Sequence, residues 1–267
     1  MRILFLGDIH YPREAAILFD LLRLIENKKP DIIAICGDIL NHADIFLLDK
    51  LLRKIHRRTK TRIIAVMGNH DFWIIRRKTI SSWDLIQSYE KAMKKHDDVL
   101  LWEEPFVEEG IAIVGVPGWY DFSFAPFSLG FTRIDFLRGT YGGFIWNDVR
   151  YAKFAEEPEE ITKIHTQKLE KQISKIGNNQ IIVILHFIPM KDFLIYNGNP
   201  NHDFWNAYSG SELLGETILK HNQKIRYVFF GHHSYKKLKT KSIIREDITL
   251  YSVDISDGVD ASMLLEI

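Results

Sequence analysis

Residues 3–10, Ile3-Leu4-Phe5-Leu6-Gly7-Asp8-Ile9-His10, carry the pattern from which the fold can be read. A short apolar run breaks at a glycine and delivers an acid and an imidazole. The pattern returns at Asp31–Cys36, which ends in Gly37-Asp38, and at Arg62–Met67, which ends in Gly68-Asn69-His70-Asp71. Helical segments separate these runs. The first extends through Ile25 and stops at Asn27-Lys28-Lys29-Pro30; Pro12 suits its opening turn, where a missing N–H costs nothing. The second places Ile45, Leu48, Leu51, Leu52 and Ile55 on one face. Continuous apolar strands alternating with helices predict βαβ units and a parallel sheet buried on both faces.

Beyond residue 80 the reading continues with a helix at Ser81–Lys95 and strands at Val99–Trp102 and Ile111–Val116. Ile161–Ile176 has helical spacing and ends at Gly177, placed as a C-terminal cap. Gln180–Leu185 is a strand ending at His186, and Ser211–Asn222 a helix with Ser209 and Glu212 at capping-box spacing. Tyr227–Phe230 is a strand ending at Gly231-His232-His233, and Ile248–Val253 and Met263–Ile267 close the chain as strands. The stretch from Trp119 to Phe154 differs: it holds twelve aromatics, several glycines and no sustained period. Such stretches in compact domains are usually functional loops or lids rather than linkers, so 119–154 reads as either a lid insertion or part of the core. No composition break resembles a linker, and residues 1–267 read as one domain.

Composition narrows the function classes. The chain has 35 Lys+Arg against 35 Asp+Glu, which argues against a general electrostatic grip on nucleic acid or an anionic membrane. Its single cysteine, Cys36, excludes an internal disulfide and fits a reducing compartment; inside an apolar strand it reads as core. The longest apolar runs are too short to span a bilayer, and the start reaches Asp8 too soon for a secretory signal. The expectation is a cytoplasmic protein with no membrane partner.

Asp8, His10, Asp38, Asn69, His70, His186 and His232 each follow the C-terminal end of a predicted strand. That edge of an open α/β sheet is where ligands bind. Carboxylates, an amide and imidazoles form a mixed oxygen and nitrogen set for a borderline divalent metal, and the absence of a thiolate speaks against a structural zinc site. If one carboxylate bridges, such a set holds two metals, which clamp both sides of an in-line phosphoryl displacement.

These motifs, Asp8-Ile9-His10, Gly37-Asp38, Gly68-Asn69-His70-Asp71, the lone His186 and Gly231-His232, occur in an order that resembles the calcineurin-like metallophosphoesterase superfamily. The resemblance implies a four-layer α/β/β/α sandwich with a two-metal centre. In that pattern Asp8 and His10 hold the first metal, Asp38 bridges, and Asn69, His186 and His232 hold the second. It further implies that a bridging water attacks phosphorus as hydroxide, with His70 near the leaving oxygen and Asp71 orienting its ring. The implied cofactors are two divalent ions, manganese first, with iron, zinc, cobalt or nickel as alternatives. The implied partner is a small phosphorylated substrate.

One position departs from the family. Its last motif is GHxH, and here the segment reads Gly231-His232-His233-Ser234, with serine at the second histidine's place. Ser234, a water, His42 or His202 is the favoured replacement, with His233 the other option, because neighbours on an extended segment point to opposite sides. The first metal is therefore expected to bind more weakly than the second.

The motif Gly37-Asp38-Ile39-Leu40-Asn41-His42 lacks the arginine of the phosphoprotein phosphatases in this superfamily, and the third block ends in Asp71 rather than glutamate. The reading moves towards small phosphomonoesters or phosphodiesters, nucleotide-type ones included. A nuclease of the same superfamily and a catalytically dead scaffold are the rivals. Arg76-Arg77-Lys78 is a candidate aid to an anionic substrate, and His56, His96, His165 and His221 read as solvated surface.

Overall fold

The computed structural model describes residues 1–12, 15–75 and 80–267. In chain order its main elements are β1 (Arg2–Leu6), α1 (Ala15–Lys28), β2 (Ile32–Cys36), α2 (Ile45–His56), β3 (Arg62–Val66), α3 (Ser82–Lys94), β4 (Val99–Leu100), β5 (Phe106–Glu108) and β6 (Ile111–Gly115). There follow α4 (Arg133–Arg138), β7 (Thr140–Tyr141), β8 (Phe144–Ile145), α5 (Asp148–Tyr151), α6 (Pro158–Ser174), β9 (Gln180–Ile184), α7 (Pro200–Asp203) and α8 (Glu212–Leu219). The chain closes with β10 (Ile225–Phe230), β11 (Ser242–Arg245), β12 (Ile248–Ser252) and β13 (Met263–Glu266).

Two sheets stack face to face. One has the order β13-β1-β2-β3-β4 and the other β11-β12-β10-β9-β6-β5, with β7 and β8 forming a separate hairpin. Within the first sheet β1, β2, β3 and β4 run parallel, and β13 is antiparallel to β1. In the second, β6, β9, β10 and β12 run parallel, with β5 and β11 antiparallel at its edges.

The alternation of side chains along these strands builds two cores. Ile3, Phe5, Ala34, Cys36, Ile64 and Val66 meet Ile113, Ile182, Ile184 and Phe229 between the sheets, where Phe5 stacks on Phe229 at 3.7 Å. The other faces (Leu4, Leu6, Ile33, Ile35, Val183, Leu185) pack under the helices. Helix, sheet, sheet and helix give the four layers the resemblance implied. The helices are held where the sequence places them: Asp44 caps α2 by accepting from Phe46 and Leu47 N–H, and Ser81 with Asp84 forms a capping box on α3. Among the described residues no helix is long and apolar enough to cross a membrane.

Several expectations change. Pro12 lies ahead of α1 rather than within it. The cap of α8 is Ser211, whose hydroxyl accepts from Leu213 N–H, and not Ser209. The 119–154 stretch contains α4, the β7–β8 hairpin and α5, each too short to show a period in sequence.

Candidate metal centre

Every strand-end residue singled out in the sequence reaches one crevice at the C-terminal edges of the two sheets. Asp38, after β2, lies at its middle. Its Oδ1 lies 3.5 Å from His186 Nε2, and its Oδ2 lies 3.5 Å from His10 Nε2 and 3.9 Å from His70 Nε2. His10 Nε2 is also 3.7 Å from Asp8 Oδ1. One carboxylate thus turns one oxygen to each half of the cluster, the arrangement a bridging ligand needs. Two sets of donor atoms, from Asp8, Asp38 and His186 and from His10, Asp38 and His70, each fall within 4.8 Å of one another.

The other half is defined by lone pairs. His186 Nδ1 lies 3.0 Å from the Cys36 carbonyl, so that nitrogen carries the hydrogen and Nε2 is left with a lone pair. His232 Nε2 likewise faces the Tyr208 carbonyl at 3.1 Å, leaving Nδ1 bare. Asn69 Nδ2 donates to Asp148 Oδ1 at 2.8 Å, which turns its carbonyl oxygen inward. The three bare acceptors converge: His186 Nε2 is 2.9 Å from Asn69 Oδ1 and 3.2 Å from His232 Nδ1. Lone pairs at such distances repel unless a cation lies among them. The residues present therefore fit a divalent metal.

Burial adds to this. Asp8 and Asp38 are nearly inaccessible, and burial raises both carboxyls well above their ordinary range, for Asp38 with the added charge of Asp8. Burial also pushes the His186 imidazole down to about 3, and His232 well below its usual value. Neutral imidazoles and buried acids with no Lys or Arg against them among the described residues make a strongly ion-seeking cluster.

The backbone that presents these groups is constrained. Asp8, His10, Asp38 and His232 have φ of 60°, 47°, 48° and 74°, a left-handed region that non-glycine residues seldom occupy. Hydrogen bonds cross-brace the loops: His10 N–H to Asp38 O at 3.0 Å, His70 N–H to Asp38 Oδ1 at 2.9 Å and His232 N–H to Asp8 Oδ2 at 3.0 Å. Two glycines permit the close approach. A Cβ on Gly68 would collide with Asp38 Oδ1 and backbone nitrogen, and one on Gly231 with Asp8 Oδ2.

His70 reaches the crevice, but Asp71 does not orient its ring. Asp71 accepts from Ile39, Leu40 and Gly68 N–H at 2.9–3.1 Å and from Tyr89 Oη–H at 3.1 Å. The buried loop donors claim both of its oxygens, so it ties the loop after β2 to the loop after β3. His70 Nδ1 instead lies 3.1 Å from the Asn41 carbonyl, which fixes Nε2 as the nitrogen facing Asp38. The Trp73 indole stacks on the His70 ring at 3.6 Å.

The candidates for the missing ligand have other engagements. Ser234 Oγ donates to Asp257, His233 Nε2 pairs with Ser209 Oγ at 2.8 Å, and His202 Nδ1 with Asp203 at 2.9 Å. His42 lines a cavity with Phe46, Ile75 and Leu85. The surface reading fails for His165, which is fully buried with Nδ1 on the Gly118 carbonyl at 2.7 Å. His56 and His96 are half-buried and stack at 5.6 Å, bonded to Asp98 and Asp49. Arg76, Arg77 and Lys78 lie outside the described residues.

Two acids escaped the sequence reading. Asp254, only 3% exposed, is bridged to Gly7 beside Asp8, and burial together with the Asp8 charge raises its carboxyl to about 7. It follows strand β12, so the strand-end rule that found the others points to it too. Asp148 accepts from Asn69 Nδ2 at 2.8 Å, Trp73 Nε1 at 2.5 Å and Trp146 Nε1 at 2.8 Å. It opens a four-residue helix in the aromatic stretch, and no spacing in the sequence marks it.

Residues 1–234 match the family model described as calcineurin-like phosphoesterase. One solved crystal structure superposes with a TM-score of 0.62 at 14% identity, over 99% of this chain and 94% of the other. The TT1561 protein of Thermus thermophilus superposes with a TM-score of 0.57 at 13% identity, over 94% of this chain and 88% of the other. At these identities the likeness concerns the fold. None of the curated proteins matches the chain.

Proposed function

Because the chain belongs to the calcineurin-like phosphoesterase family, we propose that it is a metal-dependent phosphoesterase acting on phosphomono- or phosphodiester bonds of a small, nucleotide-like substrate. In this reading Asp8, His10 and Asp38 hold one divalent cation, and Asp38, Asn69, His186 and His232 a second. The observation that carries it is the convergence of three bare acceptors beside the shared Asp38. When bound, two such cations neutralise phosphoryl charge and acidify water. Manganese is the first choice of metal.

The chain's own residues supply the rest. Cys36 and Tyr208 carbonyls fix the imidazole tautomers of His186 and His232. Asp148 fixes the Asn69 amide, and Asp71 holds the two loops in register. His70, its Nδ1 bound to a carbonyl, presents Nε2 to the cleft and is assigned proton transfer or charge stabilisation at the leaving oxygen.

The test is hydrolysis of p-nitrophenyl phosphate and of its bis ester by manganese-loaded protein. Turnover of either, lost in His70→Ala, supports the reading. A scaffold reading gains from the serine at position 234, whose hydroxyl is turned to Asp257. It takes over if neither ester is hydrolysed and His70→Ala changes nothing.

A further inference from the structure

A slot of about 350 Å³ is lined by Tyr141, Phe144, Ile145, Trp146, Asn201 and Trp205. Five of these six side chains are apolar or aromatic, and Phe144, at the tip of the β7–β8 hairpin, is 71% exposed. Exposed aromatic walls are expensive to keep in water unless something covers them. The only amide among them, Asn201, is exposed at the rim.

Trp146 belongs to both the slot and the metal centre. Its ring stands edge-on to His232 at 6.0 Å and stacks on Tyr208 at 5.0 Å. Its Nε1 donates to Asp148 Oδ2, while Asp148 Oδ1 accepts from Asn69. One buried carboxylate therefore sets the distance between a slot wall and an amide of the metal centre. A ligand that spans both would meet a fixed spacing rather than one it must impose, which lowers the ordering cost of binding.

We propose that this slot is the subsite for the planar heteroaromatic ring of the substrate, a nucleobase, whose phosphoester lies at the metal centre. The ring packs against the Trp146–Trp205 pair, whose indole centroids lie 6.3 Å apart, and the Asn201 amide is placed to meet its polar edge. The proposal rests on the phosphoesterase reading for the identity of the site, and it adds where the ring of that substrate binds and which side chains hold it. Stacking on aromatic side chains is tolerant of base identity, so the slot selects a ring rather than one base.

Adenosine, which has the ring and no phosphate, tests the slot without any need for hydrolysis. Its binding is followed by quenching of tryptophan fluorescence in the full chain. Saturable quenching is expected, weakened roughly tenfold or more in Trp205→Ala and in Phe144→Ser. Phe46→Ala, in the separate cavity near α2, is the control and binds adenosine as the parent does. Phe144 is so exposed that its replacement does not threaten folding, which covers the case of an unstable Trp205 variant. In a second arm, the ratio of kcat/KM for adenosine monophosphate over glycerol 2-phosphate is expected to fall roughly tenfold in Trp205→Ala, through KM.

No quenching, or equal quenching in parent and both slot variants, overturns the proposal. An unchanged ratio overturns it as well. Adenosine binding that depends on the slot in a protein that hydrolyses no ester would leave the slot standing and sink the phosphoesterase reading alone.

Discussion

Asp148 illustrates what a single side chain can govern. Three donors, the Asn69 amide and two indoles, end on one buried carboxylate whose desolvation raises it to about 6. Replacing it by alanine removes the acceptor on which the Asn69 amide and both indoles end, so Asn69 loses the partner that turns its oxygen inward. Asp148→Ala is expected to weaken metal binding roughly 10- to 100-fold, the usual cost of losing a ligand's orienting partner, read by manganese titration. Loss of two indole hydrogen bonds should alter the tryptophan near-ultraviolet dichroism as well, and an unchanged spectrum would contradict this role. His70→Ala should lower kcat by about 10²–10⁴, the range for a positioned proton donor, with kcat read at saturating metal. Gly68→Ala forces Asp38 to move and is expected to disturb metal binding more than Gly177→Ala, where an added Cβ meets nothing within 4 Å. At this scale the sequence revealed residue types and their order, because strand ends are legible. It could not show that Asp71 faces backbone donors, since adjacent residues in a tight turn point to different partners.

Among elements, α6 shows why a charged helix misled. Its first turn carries Glu159 and Glu160 and its body several lysines, so a histidine there looks solvated. Yet His165 stands four residues from Ile161 and from Leu169, both buried, and the 3.6-residue period places all three on one face. The spacing was readable; the surrounding charge hid it. Burial pushes the His165 imidazole down to about 4, below its ordinary 6.5. A depressed folded-state value means the unfolded chain binds more protons between these two values, so stability is full above pH 6.5 and falls as pH drops toward 4. Its share of the loss is on the order of 3 kcal/mol. Urea unfolding at pH 7 and pH 4.5 should show a smaller decline in His165→Phe than in the parent. The β7–β8 hairpin and α5 were illegible for a different reason. Elements of two to four residues are fixed by tertiary contacts and carry no period of their own.

For the molecule as a whole, two stacked sheets bring to one crevice residues as far apart as Asp8 and His232. The parallel strands β1, β2 and β3 of the first sheet were legible because they are apolar on both faces; the antiparallel edge strands β5 and β11 were not, being short and mostly exposed. The crevice concentrates bare acceptors and buried acids, so removing metal should destabilise the entire fold. Manganese at about 100 times its dissociation constant is expected to stabilise the chain by about 2.7 kcal/mol, a rise in Tm of roughly 5–10 °C reversed by a chelator. Calorimetric titration of the metal-free protein should resolve two steps, the weaker one lost in His10→Ala. The left-handed backbone at Asp8, His10, Asp38 and His232 bears on the speed of these events. Their conformations are braced by hydrogen bonds that run from one loop to the next within the chain itself. Emptying and refilling the centre should then be a matter of diffusion and dehydration, with no slow rearrangement of the chain between the two states.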